Sequence, residues 1–263
     1  MACPPRSLSA EDLVAFDVVP SLLAAARTSG LRELRPLQEQ AIRAGLLTSP
    51  SLATDDLLVV GGAGSGKRSI CELASAHHAH SGLRVLLITH DRESAERCLV
   101  RLQPYQQIGL RCGLIDLSDR LIDRPRELGQ LDLAVAPLET AALLLASGEP
   151  VRCGLGLVII EDLELVADEA DSELWPLLLL RCQALKAELP LRMVALCADV
   201  ALGEKLGQVL HAAVVRDVQV APTEPDTASL LRARALHQLR GGLLARRLSV
   251  PSAQAAIHAV RPR

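Results

Sequence analysis

A regular alternation of short apolar runs with helical stretches is the feature that most constrains the fold of this chain. Nearly continuous apolar strands separated by helices are typical of a parallel sheet with helices on both faces. Right-handed crossovers then place the carboxyl ends of all the strands along one edge, where ligands bind. The sequence therefore predicts an α/β fold. The predicted strands are 57–61, 84–90, 110–117, 131–136, 156–162, 191–198 and 214–220.

The pattern divides the chain into three predicted parts. Residues 1–35 contain two helical stretches that Pro20 interrupts, and they form an N-terminal helical lead-in. Residues 36–222 hold the alternating pattern and form the α/β domain. Residues 223–263 form a basic extension, which has seven arginines and no acidic residue from Thr227 onward. This extension could bind nucleic acid or an acidic protein surface, or it could be a solvated or disordered tail.

The composition argues against several classes of protein. Phe16, Tyr105 and Trp175 are the only aromatic residues, which nearly excludes the stacking platforms of single-strand-binding proteins. The net charge of −3 argues against a globally basic nucleic-acid binder. Seven widely spaced cysteines are typical of reduced thiols, and we see neither a signal peptide nor a membrane span. These features predict an intracellular protein, cytoplasmic or nuclear, with no membrane partner.

Two residue types that often form reactive or metal sites are interpreted as structural. The run "HHAH" (77–80) has no thiol or carboxylate nearby to complete a metal site, so we interpret it as the solvated end of a helix. The cysteines are interpreted as small core residues. Cys197 lies at a predicted strand end, and it is the one cysteine that we consider as a candidate nucleophile.

A Gly-rich loop, "GGAGSGK" (61–67), lies between a predicted strand and a predicted helix and has the G-x-x-x-x-G-K spacing of a phosphate-binding loop. Glycines let backbone N–H groups close around an anion, and a helix N-terminus adds a positive end. Gly61, Gly64, Ser65 and Gly66 are predicted to form this cradle, and Lys67 is predicted to reach the β- and γ-phosphates. The alternative is a glycine-rich turn with an exposed lysine, because this spacing also occurs by chance.

Arg68 takes the position at which such a loop normally carries the Ser or Thr that ligates magnesium. A guanidinium cannot ligate a cation, but it could contact a phosphate or pair with an acid. We therefore include Arg68 among the predicted nucleotide-binding residues. Ser69 lies about 100° further round the helix, so we do not transfer the hydroxyl's role to it. The sequence predicts ATP as the cofactor and leaves open whether magnesium accompanies it.

An acidic pair, Glu161 and Asp162, follows the apolar run "LVII" at a predicted strand end. Such a pair normally has the order Asp then Glu, in which the first acid holds magnesium and the second polarises the attacking water. We predict both residues as catalytic and Glu161 as the metal ligand, although the reversed order changes both side-chain lengths. A misplacement of ~1 Å can lower a rate about 100-fold. The alternative is a solvated acidic turn, because further acidic residues follow.

The order and spacing of these motifs resemble the first, N-terminal RecA-like domain of DEAD-box and related DExD/H superfamily 2 helicases, from about Phe16 to Val220. The segment "GLRELRPLQ" (30–38) resembles the Q motif, which implies that Gln38 reads adenine and that Phe16 stacks on it. "EDLE" (161–164) stands in the place of Asp-Glu-Ala-Asp, and "CAD" (197–199) stands in the place of Ser-Ala-Thr. The resemblance implies a P-loop RecA-like sheet that binds ATP.

The segment "HDRESAER" (90–97) resembles the part of these helicases that contacts the nucleic-acid backbone. The resemblance implies that Arg92 and Glu93 contact RNA or another nucleic acid, although Asp91 adds a negative charge there. The family also needs a second RecA-like domain, and the residues after Val220 are too few to form it. We therefore do not expect this chain to unwind nucleic acid alone, and we expect a protein partner that supplies a second RecA-like domain or a scaffold.

Three hypotheses for the function follow. The first is a helicase-like ATP-binding domain associated with RNA or another nucleic acid, with weak or partner-dependent hydrolysis. The second is a catalytically inactive pseudo-helicase that acts as a protein-interaction module, because motifs I, II and III are all altered. The third is a small-molecule phosphotransferase or another P-loop NTPase, against which the Q-like motif argues and which a nucleotide screen without adenine preference would support.

Overall fold

A single parallel sheet forms the centre of the molecule. The computed structural model describes residues 8–53, 55–116, 128–167 and 174–216, in which all the strand pairs are parallel and the strand order is β3-β4-β2-β5-β6-β1-β7. This architecture confirms the predicted α/β fold. The strands are β1 (Asp56–Val60), β2 (Arg84–Thr89), β3 (Cys112–Leu114), β4 (Leu133–Pro137), β5 (Leu155–Ile160), β6 (Arg192–Cys197) and β7 (Ala212–Arg216).

Helices follow the strands and cover the sheet. In the part of the chain that the structure describes, short 3-10 helices add to them at Glu11–Phe16, Leu128–Gln130 and Leu163–Ala167. The α-helices in the described ranges are α1 (Pro20–Thr28), α2 (Pro36–Arg43), α3 (Lys67–His80), α4 (Arg92–Arg101), α5 (Gln103–Gln107), α6 (Leu138–Ala146), α7 (Glu149–Cys153), α8 (Leu174–Leu185) and α9 (Val200–Leu210).

The strands contribute alternate residues to two separate hydrophobic cores. In β1, Leu57 and Val59 belong to one core, and Leu58 and Val60 belong to the other. The first core receives side chains from α1 to α5, and the second receives them from α6, α8 and α9. Because both faces of the sheet are covered, only its edges reach solvent, as the nearly continuous apolar runs predicted.

The lead-in packs on the same core as the sheet. Leu13 and Leu22 are fully buried together with residues of α2 and α3. Pro20 does not interrupt a helix as predicted; it is the first residue of α1, where its fixed φ and its missing N–H suit a helix start. The predicted domain boundaries at residues 35 and 222 stay predictions, and the second of them, with residues 217–220 of the last predicted strand and the basic extension, lies outside the described residues.

The "HHAH" run is partly buried, so its interpretation as a solvated helix end is wrong for two of its histidines. His77 and His78 are buried, and only His80 is exposed. The Nε2 atom of His78 lies 3.1 Å from the Leu46 carbonyl oxygen. Burial lowers the pKa of His77, and it lowers the pKa of His78 to about 4. The last turns of α3 therefore pack against the segment that follows α2, a contact that local sequence does not reveal.

In the described ranges, no helix combines the length and the apolar character that crossing a bilayer requires.

We expect a strong difference between the same substitution in the core and at the surface. Leu86 in β2 is fully buried, so Leu86→Ala should lower the free energy of unfolding by about 2–5 kcal/mol through lost apolar burial and a residual cavity. Leu143 in α6 is 57% exposed, so Leu143→Ala should change it by no more than about 0.5 kcal/mol. Urea unfolding followed by circular dichroism measures both. Equal losses for the two variants would contradict the arrangement of α6 on the sheet.

Candidate functional site

Three adjacent strands bring the predicted motifs to one edge of the sheet. Strands β5, β6 and β1 lie side by side, and all three run in the same direction. The Gly-rich loop follows β1, Glu161 and Asp162 follow β5, and Ala198 follows β6 between them. Helix α3 begins at the loop and packs across the sheet against β5 and β2. The start of α3 therefore lies next to the end of β5.

The Gly-rich loop has a backbone that favours glycine at two positions. Gly64 and Gly66 have φ of 79° and 85°, in the left-handed region that other residues rarely adopt. A Cβ on Gly66 would also lie 2.4 Å from the side-chain nitrogen of Gln38. No heavy atom would lie within 4 Å of a Cβ on Gly62, so the loop is open on that side. This is the curved, accessible backbone that a bound anion requires.

Lys67 is the first residue of α3, and its side chain folds back into the loop. Its Nζ donates hydrogen bonds to the Gly61 carbonyl at 2.8 Å and to the Gly62 carbonyl at 3.4 Å. The side chain is buried, and it lines a cavity at the helix N-terminus. The ammonium is therefore held inside the curve of the loop, at the positive end of the α3 dipole.

Gln38 supports the loop from α2. Its Oε1 accepts a hydrogen bond from the Arg35 N–H at 2.8 Å, which caps the start of α2. Its Nε2 donates to the Gly66 carbonyl at 2.9 Å. Gln38 is buried, and both ends of its amide are engaged within the protein. In this arrangement Gln38 fixes the position of the Gly-rich loop, and reading adenine would require these contacts to change.

Arg68 joins the start of α3 to the end of β5. Its Nη2 donates hydrogen bonds to both carboxylate oxygens of Asp162 at 2.6 Å, across a sequence separation of 94 residues. Its Nε lies 3.7 Å from Glu161 Oε2. Asp162 has φ of 52°, a left-handed conformation that is uncommon for a residue other than glycine. The predicted loop and the predicted acidic pair are thus linked through the residue that replaces the usual hydroxyl.

Two further charged residues, which the sequence analysis missed, complete a charge cluster of Arg68, Arg101, Glu72, Glu161 and Asp162. Arg101 Nη2 donates to the two carboxylate oxygens of Glu161 at 3.1 and 3.4 Å, and its Nε donates to Glu72. Glu72 and Glu161 are both buried. Glu72 lies within the apolar sequence of α3, and this position was a signal for the cluster in the sequence, because a buried acid needs a partner.

Burial and charge act in opposite directions on the ionisation of this cluster. Burial raises the pKa of the Glu161 carboxyl, and the guanidinium groups of Arg101 and Arg68 offset only part of that effect. Burial by itself would lower the pKa of Arg68, but the hydrogen bonds and charge of Asp162 and the charge of Glu161 raise it overall. Arg68 therefore stays fully charged, and both catalytic candidates are held by arginines.

A hydrogen bond between a backbone N–H and a side-chain carboxylate connects the end of β6 to the short helix after β5. Glu164, the last residue of "EDLE", accepts it from the Ala198 N–H at 3.0 Å. Cys197, the last residue of β6, donates from its thiol to the Asp199 carbonyl, and burial raises its pKa to about 12. Cys197 is fully buried and its thiol is engaged within the protein, which does not favour its candidate role as a nucleophile.

A cavity of about 500 Å³ opens in front of the loop. Its charged wall residues are balanced in number, with three basic and three acidic side chains. Gly61 and Glu161 are buried behind the wall, and neither is among the residues that line the cavity. The lining residues are Gly30, Leu31, Glu33, Arg35, Gln38, Gly62, Ala63, Gly64, Ser65, Gly66, Lys67, Arg68, Ser69, Asp162, Glu164 and Ala198.

Three of the predicted site residues lie elsewhere. Phe16 packs against the first hydrophobic core and is not among the residues that line the cavity. Arg92 is the first residue of α4, and it forms ion pairs with Glu96 at 3.0 Å and with Asp116 at 3.1 Å. Glu93 pairs with Arg97 on the same helix. The structure therefore brings together the loop and the acidic pair, but it does not bring Phe16, Arg92 or Glu93 into the same cavity.

The donor set does not fit the magnesium ion that nucleotide sites of this kind commonly hold. Magnesium prefers six oxygen ligands at about 2.0–2.1 Å in octahedral geometry. Residue 68 supplies no oxygen, and Arg68 and Arg101 occupy the oxygens of Asp162 and Glu161. Within the described ranges, no three His, Cys, Asp or Glu side chains are grouped so that they could hold a metal. These contacts do not favour the predicted metal role of Glu161.

The sequence of the chain is similar to that of a known helicase. No protein-family model matches the chain. It is 25% identical over 193 residues to the ATP-dependent DNA helicase Hel308 from Methanocella arvoryzae, a match that covers 72% of this chain and 25% of the relative. The chain thus spans about a quarter of the length of that curated relative.

Solved structures with the same fold are also helicases. A hypothetical ATP-dependent RNA helicase from Sulfolobus tokodaii superposes with a TM-score of 0.55 at 14% identity, over 75% of this chain and 56% of that one. The DEAD-box helicase Mss116, solved bound to single-stranded RNA and UDP-BeF, superposes with a TM-score of 0.61 at 10% identity, over 82% of this chain and 46% of that one. The described part of the chain has a RecA-like fold, similar to that of domains in these helicases.

Proposed function

We propose that this chain is a helicase-like, nucleic-acid-associated domain that binds ATP through its Gly-rich loop and hydrolyses it slowly when alone. The observation that carries this proposal is the loop itself, which curves around Lys67 at the N-terminus of α3 beside a cavity of about 500 Å³. Backbone N–H groups, a helix dipole and one ammonium are the elements that hold a triphosphate. The loop, the start of α3 and Lys67 all line that cavity.

Slow hydrolysis is supported by the contacts of the acidic pair. A water-polarising carboxylate needs a free oxygen, but Arg68 contacts both oxygens of Asp162. Glu161 is buried and held by Arg101, so its position is fixed away from the cavity wall. The same contacts favour the second candidate function, a catalytically inactive pseudo-helicase that acts as an interaction module. The two candidates differ in whether a partner can restore turnover.

Association with nucleic acid is supported by the fold and by the position of α4. The helix begins after β2, at the same edge of the sheet as the Gly-rich loop, and Arg92 is its first residue. The N–H of Ser94 in the first turn is already capped by the Asp91 carboxylate at 2.7 Å. Contact with a phosphate therefore depends on Arg92 exchanging one of its acidic partners for the nucleic acid.

The proposal also includes a protein partner and an intracellular location. Helicases of this superfamily close the nucleotide site with a second RecA-like domain, so we propose that a second such domain or a scaffold protein binds at the carboxyl edge of this sheet. The six described cysteines are free thiols, which suits an intracellular setting.

ATP binding should depend on Lys67. Lys67→Ala removes a charged donor to the phosphates and should weaken ATP binding at least about tenfold in calorimetric titration. The matched control is Lys205→Ala, which removes an exposed lysine of α9 that does not line the cavity and should leave the affinity unchanged. Absence of ATP binding by the wild type at millimolar concentration would refute the proposed function.

Turnover by the isolated chain should be slow. We expect a rate of phosphate release below about 1 s⁻¹, the low end for enzymes, because the acidic pair is held by arginines. Asp162→Asn should change this rate little, and Lys67→Ala provides the background from any contaminating ATPase. Fast turnover that Asp162→Asn abolishes would show that Arg68 releases the carboxylate during catalysis, and it would exclude the pseudo-helicase.

Nucleic-acid binding should depend on Arg92. The fluorescence anisotropy of a labelled single-stranded RNA is measured at several salt concentrations. Arg92→Ala should reduce the slope of log affinity against log salt by about 0.7, as expected for one lost phosphate contact to a single strand. Arg43→Ala is the control, because Arg43 has similar exposure, 45% against 47%, and a similar ion pair within its own helix. Equal slopes for wild type and Arg92→Ala would remove Arg92 from the interface.

A further inference from the structure

The side chain at position 68 points to an unusual charge requirement in the nucleotide site. Phosphate loops usually place a hydroxyl there, and that hydroxyl and an acid from the neighbouring strand together hold magnesium. Here the guanidinium of Arg68 lies between the start of α3 and the end of β5, in contact with Asp162 and close to Glu161. A permanent positive charge thus stands between the two elements that otherwise share the ion.

We infer that this site binds the triphosphate of ATP without a divalent cation, with Arg68 supplying the positive charge. This inference rests on the proposed function, since it concerns the ligand of the same cavity. It also explains why the donor set does not fit magnesium: the ion would have to displace Arg68 from Asp162 and would then lie beside a second cation.

The charges that line the cavity are consistent with this inference. Arg35, Lys67 and Arg68 balance Glu33, Asp162 and Glu164. With a neutral hydroxyl at position 68 the acids would be in excess, and an anionic triphosphate would need a bound cation to enter. With arginine at position 68, the charges of the cavity wall sum to zero. The helix N-terminus and the loop N–H groups then determine whether an anion binds.

Arg68 can contact a phosphate without leaving the acidic pair entirely. Its side chain is 49% exposed and lines the cavity, so the guanidinium can move toward a ligand. A guanidinium has five N–H donors in a fixed fork, and the structure uses Nη2 for Asp162. The other donors can bond phosphate oxygens. A lysine at position 68 would have the same charge but no such fork, so it would reproduce only part of this arrangement.

The test compares ATP affinity in magnesium buffer and in buffer with a chelator. We expect the wild-type affinity to differ by less than about twofold between the two buffers. Arg68→Ser restores a hydroxyl and removes the cation, so it should bind ATP weakly in chelator and at least about tenfold more tightly with magnesium. Arg68→Lys should keep the independence from magnesium with a lower affinity. Arg27→Ser is the matched control, because Arg27 is also 49% exposed, and it should behave as the wild type.

The outcomes separate this inference from the proposed function. ATP binding by the wild type that requires magnesium would overturn the inference and leave the proposed function intact. No ATP binding by the wild type in either buffer would overturn both. The wild-type comparison needs no variant, so it decides the question even if Arg68→Ser fails to fold, which circular dichroism would reveal.

Discussion

The site depends on a sheet that is buried on both faces. Because helices cover both surfaces, the described strands are accessible to a ligand at the sheet edges, and parallel strands place all their carboxyl ends on one of these edges. The loop after β1 and the acids after β5 are distant in sequence, and β6 separates their strands. Helix α3 spans that gap as it packs across the sheet, so the position of Arg68 follows from the crossover itself.

Arg68 is unfavourable for its helix and favourable for the tertiary structure. A positive side chain in the first turn opposes the helix dipole, by about 0.3–1 kcal/mol where such effects have been measured at surfaces. Its bonds to Asp162 and its proximity to Glu161 offset that conflict. The dependence is mutual, because buried Glu161 without its guanidinium partners would be an uncompensated charge in the interior. Position 68 and the reversed acidic pair therefore form one unit, and a change in either alters the other.

The sequence predicted the elements of the fold well because strand burial is encoded locally. Each apolar run became a strand, since residues such as Leu58 and Val59 must face opposite cores. The ends of the same apolar runs predicted that the Gly-rich loop and Glu161 lie at strand ends. The apolar surroundings of Glu72 in α3 indicated that it needs a partner, but they could not identify Arg101, because that contact joins two helices through the tertiary structure. The burial of His78 was missed for the same reason, since its partner is a carbonyl of a distant segment.

Under the proposed function, the altered motifs would affect ATP binding and ATP turnover differently, because the two rely on different atoms. ATP binding would use backbone N–H groups, the dipole of α3 and Lys67, and the arginine at position 68 leaves all three in place. Turnover relies on the positions of carboxylate oxygens, which the arginines now hold. The link between the ends of β5 and β6 combines a backbone donor with a side-chain acceptor, because the Ala198 N–H donates to the Glu164 carboxylate. The segment "CAD" therefore still bonds to the residues after β5, although it has neither hydroxyl of the motif in whose place it stands.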